Sequence, residues 1–393
     1  MNLDKAGLDT LDMQGKRVLT RVDFNVPRDA TGAITDDTRI RAALGTIQKI
    51  RSAGGQPILM CHLGRPKGEV QDDLRVDAIG VRLAELLDCE VVKLDVSAGP
   101  EAEAAVAATD AVVLLENVRF HAGETKGDPA LAAQYARLGD VFVNDAFGAS
   151  HRDHASVSGP ARLLPSAAGM LLQQEIEAFR RVLDNPERPF AAVLGGAKIS
   201  DKLPVITNLL DKVDRLLIGG GMAYTFIVAR GGKVGASLVQ EDQLEMVRGL
   251  DALGQEKGVQ ILIPTDHVIG DGFSPDCSVK TVVGDIPDGW MGLDIGPASQ
   301  VAYAAALADC KTTVWNGPMG VFEWDAFQAG TEAVGRAVAN SSAYSVVGGG
   351  DSVAAAGKFG LTAAISHIST GGGASLELLE GKELPGIASL PDA

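Results

Sequence analysis

Two doubly wound α/β domains are the fold class that this sequence predicts, and three observations predict it. The Val/Ile/Leu-rich runs are continuous rather than alternating, Ala/Leu/Glu-rich stretches of helical spacing separate them, and the whole scheme occurs twice. Continuous apolar runs mean strands buried on both faces, as in a parallel sheet, and strand alternating with helix builds a doubly wound domain. A chain of 393 residues is also too long for one ordinary core, and it divides into two domains of about 200 residues each.

In the first half the strands are expected at 16–24, 57–61, 91–94, 111–116 and 141–144. Helical stretches with few breakers lie between them at 38–53, 78–88 and 129–138. Leu172, Ile176, Phe179 and Leu183 then recur at helical spacing, and the pattern stops at Asn185-Pro186. One helix, 171–186, is therefore expected to join a first domain of 1–170 to a second of 187–373 and to act as the hinge. The second half repeats the scheme, with strands near 190–194, 214–218, 259–263, 312–315, 344–347 and 365–368. Residues after about 374 are polar and loop-like.

Composition bounds the function. A net charge of −16, from 35 basic and 51 acidic residues, argues against nucleic acid or an anionic membrane as partner. The four cysteines, Cys61, Cys89, Cys277 and Cys310, stand far apart in no metal-ligand spacing, so neither a disulfide framework nor zinc is expected and a reducing cytoplasm fits. No apolar run reaches the roughly 18 residues of a spanning helix.

The two halves end their strands in opposite chemistry. Arg21, Arg39, His62, Arg65, Arg119 and Arg152 lie at or just beyond strand ends of the first half, where open α/β sheets place their ligands. A lone arginine is ordinarily a surface ion-pair partner, but six basic groups clustered in an acidic protein point to a small anion. The planar guanidinium fork suits phosphate or carboxylate, and Asp23 and Asn25 are placed to orient hydroxyls or the arginines themselves.

In the second half glycine clusters follow the strands: Gly195-Gly196, Gly219-Gly220-Gly221, Gly348-Gly349-Gly350-Asp351 and Gly371-Gly372-Gly373. Glycine there lets backbone approach a ligand while the free N–H groups of the next helix favour an anion. One such turn is commonplace; several in one domain point to a nucleotide. Neither standard fingerprint is present, since Gly357-Lys358 is followed by Phe359 and no G-x-G-x-x-G has the required placement. Lys198 and Lys202, four apart at an expected helix start, share a face that meets phosphate oxygens. Asp351, followed by Ser352, reads equally as a helix N-cap and as a magnesium ligand.

At this point the ordered motifs resemble the phosphoglycerate kinase family. RVDFNVP at 21–27, HLGRPKG at 62–68, LLENVRF at 114–120, GGAKISDK at 195–202, GGGMAYTF at 219–226, VWNGPMGVFE at 314–323 and VVGGGDS at 346–352 follow the family's order through nearly the whole chain. The resemblance implies two Rossmann-like domains that close about a hinge, and reversible transfer of the acyl phosphate of 1,3-bisphosphoglycerate to MgADP in glycolysis and gluconeogenesis. It implies that Asp23, Asn25, Arg39, His62, Arg65, Arg119 and Arg152, supported by Arg21, hold 3-phosphoglycerate or 1,3-bisphosphoglycerate. Lys198, Lys202, Asn316, Glu323 and Gly349, Gly350, Asp351 and Ser352 would hold ADP or ATP, with Asp351 on Mg2+ and Glu323 on the ribose. Gly371 and Gly372 resemble the helix start that, with Arg39, Lys198 and Lys202, surrounds the transferring phosphoryl group. A tail of 374–393 packed back on the first domain, a monomer and a cytoplasmic location are implied too.

Some positions depart from the family pattern. Cys61 stands where serine is common, Tyr224 where phenylalanine is common and Ser352 where threonine often follows the aspartate. Asp153 replaces a small residue and is expected to pair with Arg152, weakening that arginine's hold on substrate. A different acyl-phosphate kinase would share the nucleotide half without needing the whole arginine set. A non-catalytic two-lobed binding protein would explain the basic residues but not VWNGPMGVFE with GGGDS.

Overall fold

The computed structural model describes residues 2–393, which divide into two units: residues 2–177 with 383–393, and residues 178–382. The first unit is built on six parallel strands, β1 (Arg17–Val22), β2 (Gln56–Met60), β3 (Val91–Lys93), β4 (Val112–Leu114), β5 (Val141–Asp145) and β6 (Ser166–Ala168), in the order β3-β4-β2-β1-β5-β6. Val18, Leu19, Ile58, Leu59, Phe142 and Val143 in its central strands are wholly out of water. That two-sided burial is what their continuous apolar runs require. Helices α1 (Thr38–Ser52), α2 (Asp77–Leu87), α3 (Pro100–Ala107) and α4 (Pro129–Ala136) belong to the crossovers. β6 escaped the sequence reading because Ser-Ala-Ala is too short and too small to register as an apolar run.

α5 (Met170–Leu183) carries the chain from one unit to the other, the division falling after Glu177. Leu172 and Phe179 are fully buried, and Ile176 and Leu183 nearly so.

The second unit repeats the plan with β7 (Phe190–Leu194), β8 (Arg215–Ile218), β9 (Gln260–Leu262), β13 (Thr312–Asn316), β14 (Tyr344–Val347) and β15 (His367–Ile368), ordered β15-β14-β13-β7-β8-β9. The chain steps outward from β7 through β9, returns to pair β13 against β7's other side, and steps outward again. Its helices are α6 (Leu203–Leu209), α7 (Met222–Ala229), α8 (Leu244–Lys257), α9 (Pro297–Leu307), α10 (Ala329–Asn340), α11 (Gly350–Lys358) and α12 (Gly372–Leu379). Trp315, Tyr303, Phe327 and Val334 lie in its interior.

The sequence reading passed over a three-stranded antiparallel sheet, β10 (Asp266–Gly270), β11 (Val279–Val283) and β12 (Met291–Ile295), ordered β11-β10-β12. Its signal was present in the β-branched run Val279-Lys-Thr-Val-Val283. A second correction concerns residues 374–382, expected with the tail. α12 instead packs on α6, with Asn208 Nδ2 donating to the Leu379 carbonyl at 2.8 Å, and the return to the first unit begins at Glu383. There α13 (Pro385–Ala388) buries Ile387.

Candidate active site

In the first unit the basic residues gather on the loops that leave the carboxyl ends of β1, β2 and β5 and on the 3-10 turn after β4, with Arg39 on the first turn of α1. In an open parallel sheet the crevice lies there, where the strand order reverses. Arg21 is wholly buried within β1. Its Nε donates to Ser156 Oγ at 2.9 Å, one Nη donates to the Val22 carbonyl, and the other lies 3.1 Å from His62 Nδ1. Arg21 is thus spent on partners within the chain, beneath the exposed arginines of the cluster.

Asp23 accepts from Arg39 Nη1 at 2.6 Å and from the Asn25 amide at 3.2 Å. Burial works to raise its carboxyl, and His62, Arg39 and Arg21, with the Asn25 amide, outweigh that and hold it below the ordinary range. Asn25 Oδ1 accepts from the Gly64 amide at 2.9 Å, and Arg119 Nη1 donates to the Gly64 carbonyl at 2.8 Å, so the loop after β2 is pinned from both sides. Asn117 adds a staple, accepting from the Leu63 amide and donating to the Leu63 and Leu74 carbonyls.

Arg119 keeps a buried Nε with no partner. Its guanidinium is pushed down to about 10, first by burial, with Arg21 and Arg65 adding and Glu124 opposing. Arg65 and Arg152 are exposed. Asp153 does not pair with Arg152: it accepts from Arg162 Nη2 at 2.8 Å and from Ser158 Oγ. That corrects the sequence expectation, because the turn at 151–158 carries the carboxylate toward Arg162 and away from the exposed Arg152.

Sequence reasoning missed Glu124. It is fully buried, accepts from Ser156 Oγ at 2.5 Å and from the Ser156 amide at 3.0 Å, and lies 3.9 Å from His154 Nδ1. Burial raises its carboxyl above the ordinary value against the pull of Arg21, Ser156 and Arg119. His154 is pushed down to about 4, by burial and then by Arg119, Arg21 and Arg152. Glu124 lies in a 3-10 turn (Glu124–Lys126) with no apolar periodicity, so only the fold reveals its place under the cluster.

In the second unit the glycine turns converge where β7 and β13 lie side by side. The Gly195 amide donates to the Asn316 carbonyl at 3.0 Å. A Cβ on Gly195 would collide with the Pro318 carbonyl, and one on Gly317, whose φ is +106°, with the Gly195 carbonyl, so the two turns approach this closely only as glycines. Asn316 is buried, accepts from Lys202 Nζ and donates Nδ2 to the Gly348 carbonyl at 2.8 Å, tying β13 to the turn after β14.

Lys198 and Lys202 do not share a helix face. α6 begins only at Leu203, with Pro204 in its first turn, and both lysines sit in the preceding turn held by the buried Ile199. Lys202 turns inward; burial lowers its pKa while Asp201 and Asp351 oppose. Lys198 is exposed. Ser352 is fully buried and its hydroxyl accepts from the Gly317 amide, so it braces the site and has its backbone amide to offer an anion. The starts of α11 and α12 are neighbours: a Cβ on Gly372 would lie 3.8 Å from the Gly350 nitrogen, and Gly371 caps α12. Gly349, with φ +93°, sits against Asn316 Nδ2.

Beside these turns opens a cavity of about 300 Å³. Tyr224, Leu238, Phe273, Met291 and Val321 make it apolar, and the exposed carboxylates of Glu323 and Asp351 also line it. Part of that wall is β12, which the sequence reading had not placed. An apolar slot beside convergent helix N-termini suits a nucleoside with its phosphates at the glycine turns.

A family model described as phosphoglycerate kinase matches residues 8–382. The chain is 56% identical to the phosphoglycerate kinase of Synechococcus elongatus over 395 residues, covering 99% of this chain and 98% of that one. It is also 56% identical to the phosphoglycerate kinase of Moorella thermoacetica over 391 residues, 99% of each. Among solved structures, phosphoglycerate kinase from Coxiella burnetii superposes with a TM-score of 0.89 at 40% identity, and that from Pyrococcus horikoshii with 0.83 at 33%, each covering 98% of both chains.

Proposed function

The chain belongs to the phosphoglycerate kinase family and catalyses that family's reversible phosphoryl transfer between 1,3-bisphosphoglycerate and ADP, and from that premise we propose how its own residues divide the work. The basic cluster of the first unit holds 3-phosphoglycerate or 1,3-bisphosphoglycerate through Arg39, His62, Arg65, Arg119 and Arg152, with Asp23 and Asn25 orienting them and Arg21 bracing from beneath. The glycine turns and apolar cavity of the second unit hold ADP or ATP through Lys198, Lys202, Asn316, Glu323, Gly349, Gly350 and Asp351. The observation that carries this division is Arg119, a guanidinium with a buried unpartnered Nε among other cations, an arrangement that calls for an anion.

Among the described residues no group of three or more His, Cys, Asp or Glu side chains could cage a metal. The exposed carboxylate of Asp351, on the first turn of α11, fits Mg2+ that arrives with the nucleotide, since that ion usually takes one or two carboxylates plus phosphate oxygens. Bound Mg2+ supplies neutralisation of phosphate charge. Transfer through a loose transition state asks the chain for alignment and charge. Arg39 on the acid's side, and Lys198, Lys202 and the α12 start at Gly371 and Gly372 on the nucleotide's, supply both. The acceptor is an ADP phosphate oxygen in the direction of ATP formation and, in reverse, a carboxylate with a pKa of about 3 to 4; both are ionised at neutral pH, so no general base is required. The four cysteines are free, which supports a reducing compartment such as the cytoplasm.

ATP formation from 1,3-bisphosphoglycerate and ADP, followed in a coupled assay with other acyl phosphates as competing donors, tests the reading. Rapid turnover of 1,3-bisphosphoglycerate alone is expected; equal turnover of unrelated acyl phosphates would overturn the assignment of the arginine cluster.

A further inference from the structure

Beneath the basic cluster runs a file of four buried side chains, Glu124, Ser156, Arg21 and His62, whose hydrogen bonds can point only one way. Glu124, as a carboxylate, only accepts, so the Ser156 hydroxyl 2.5 Å away gives it its hydrogen. Ser156 Oγ is left with lone pairs, and Arg21 Nε donates into them at 2.9 Å. A guanidinium has no acceptor. Where Arg21 Nη2 meets His62 Nδ1 at 3.1 Å, the imidazole nitrogen must therefore accept, and the ring's remaining hydrogen sits on Nε2. Among the described residues no side-chain hydrogen bond of His62 other than this contact accompanies it. Arg21 is fully buried and held at Nη1 by the Val22 carbonyl, so it has no room to swing away.

We propose that Glu124 and Ser156 are positioning residues that, acting through Arg21, lock His62 as the neutral Nε2–H tautomer and so present the substrate with an uncharged N–H donor of fixed direction. The proposal rests on reading the first unit's cluster as the phosphoglycerate site. The charged groups that bear on His62 are Arg21, Arg119 and Arg39, opposed by Asp23; burial is the largest influence, and together they hold the ring well below its ordinary pKa. The arrangement has a chemical use: the guanidinia of Arg39, Arg65, Arg119 and Arg152 already bind charge, and a neutral donor adds direction without adding a further desolvated cation. Glu124 is also the buried counter-charge for Arg21 and Arg119, so losing it would free the whole file.

The test is the imidazole nitrogen spectrum of the full-length 15N-labelled chain without ligand, at pH 7.5 and pH 5.5. A single Nε2–H pattern for His62 at both values is expected. In Ser156→Ala and Glu124→Gln a second tautomer or a titrating ring is expected, with KM for 3-phosphoglycerate raised about tenfold while kcat and KM for ATP stay within about threefold. A wild-type ring protonated on Nδ1, or a Ser156→Ala variant with unchanged tautomer and KM, would overturn the proposal. Should neither variant fold, the wild-type spectrum alone decides. Normal 3-phosphoglycerate binding with the wrong tautomer sinks the proposal by itself; absent binding in calorimetry with the expected tautomer sinks the half-site reading beneath it.

Discussion

Arg39 shows how much of the catalytic role proposed for it depends on a neighbour. Asp23, nine-tenths buried, fixes the guanidinium through one 2.6 Å contact, yet the arginine side chain remains more than a third exposed and keeps donors for a ligand. Lys198, exposed in the turn before α6, has similar freedom. If both surround the transferring group, Arg39→Ala and Lys198→Ala should each lower kcat by about 10² to 10³, the scale of losing one preorganised donor to transition-state charge. Calorimetry should meanwhile show MgADP affinity nearly unchanged. Near-normal turnover in either purified variant would reject that variant's assignment. Tyr224 illustrates a departure with local consequences: its hydroxyl fills the space over Gly292, where any Cβ would collide with it. The added oxygen is accommodated because β12 is glycine at that point.

Asp145 governs an element. It ends β5 fully buried, and its Oδ1 accepts the Leu171 and Leu172 amides at 2.9 and 3.2 Å, capping the first turn of α5 from outside the helix. Oδ2 is buried without a partner, and burial pushes the carboxyl up to about 7 against the opposing Thr46, Leu172 and Leu171 hydrogen bonds. The folded form thus holds a proton that the unfolded chain, with a carboxyl near 4, has released, so this group's contribution to stability falls as pH rises from about 4 to about 7. Asp145→Asn retains the capping oxygen and removes the charge. Relative to wild type it should gain on the order of 1 to 3 kcal/mol on going from pH 5 to pH 8 in urea denaturation. A constant difference between the two proteins across that range would contradict the burial argument. The two parallel sheets and α5 were legible in sequence because buried strands and an amphipathic helix leave periodic patterns. β6 and the β10–β12 sheet were not: the first is three small residues, and the second shows its pairing only when strands distant in sequence meet.

At the scale of the molecule, the first unit is discontinuous. Residues 383–393 return to it, where the Gly386 amide donates to the Ser150 carbonyl and its own carbonyl accepts from Asn144 Nδ2, both at 2.8 Å, while Lys5 pairs with Asp392 at 2.7 Å. Leu384 and Ile387 are fully buried there. Ser150 immediately precedes His151 and Arg152, so the tail braces the loop that carries part of the basic cluster. Deleting residues 383–393 should cost at least about 3 kcal/mol through the lost apolar contacts. In calorimetry, 3-phosphoglycerate affinity should fall more than tenfold while MgADP binding persists. Equal loss of both ligands, or of neither, would show that the tail does not act through this loop.

By itself the sequence determined the paired α/β architecture, the opposite chemistry of the two halves and the residue types at each strand end, because burial periodicity, glycine turns and clustered arginines are local or compositional signals. Only tertiary structure decided which of those side chains are free to meet a ligand. Arg21 and Ser352 are fully buried with partners inside the chain, Asp153 turned to Arg162 instead of Arg152, and Lys198 and Lys202 parted company in a turn. The physical reason is common to all of them. A polar group's role depends on which partners occupy its hydrogen-bonding positions, and those partners, such as Glu124 with Ser156 or Asn316 with Gly348, come from elements far apart in the chain.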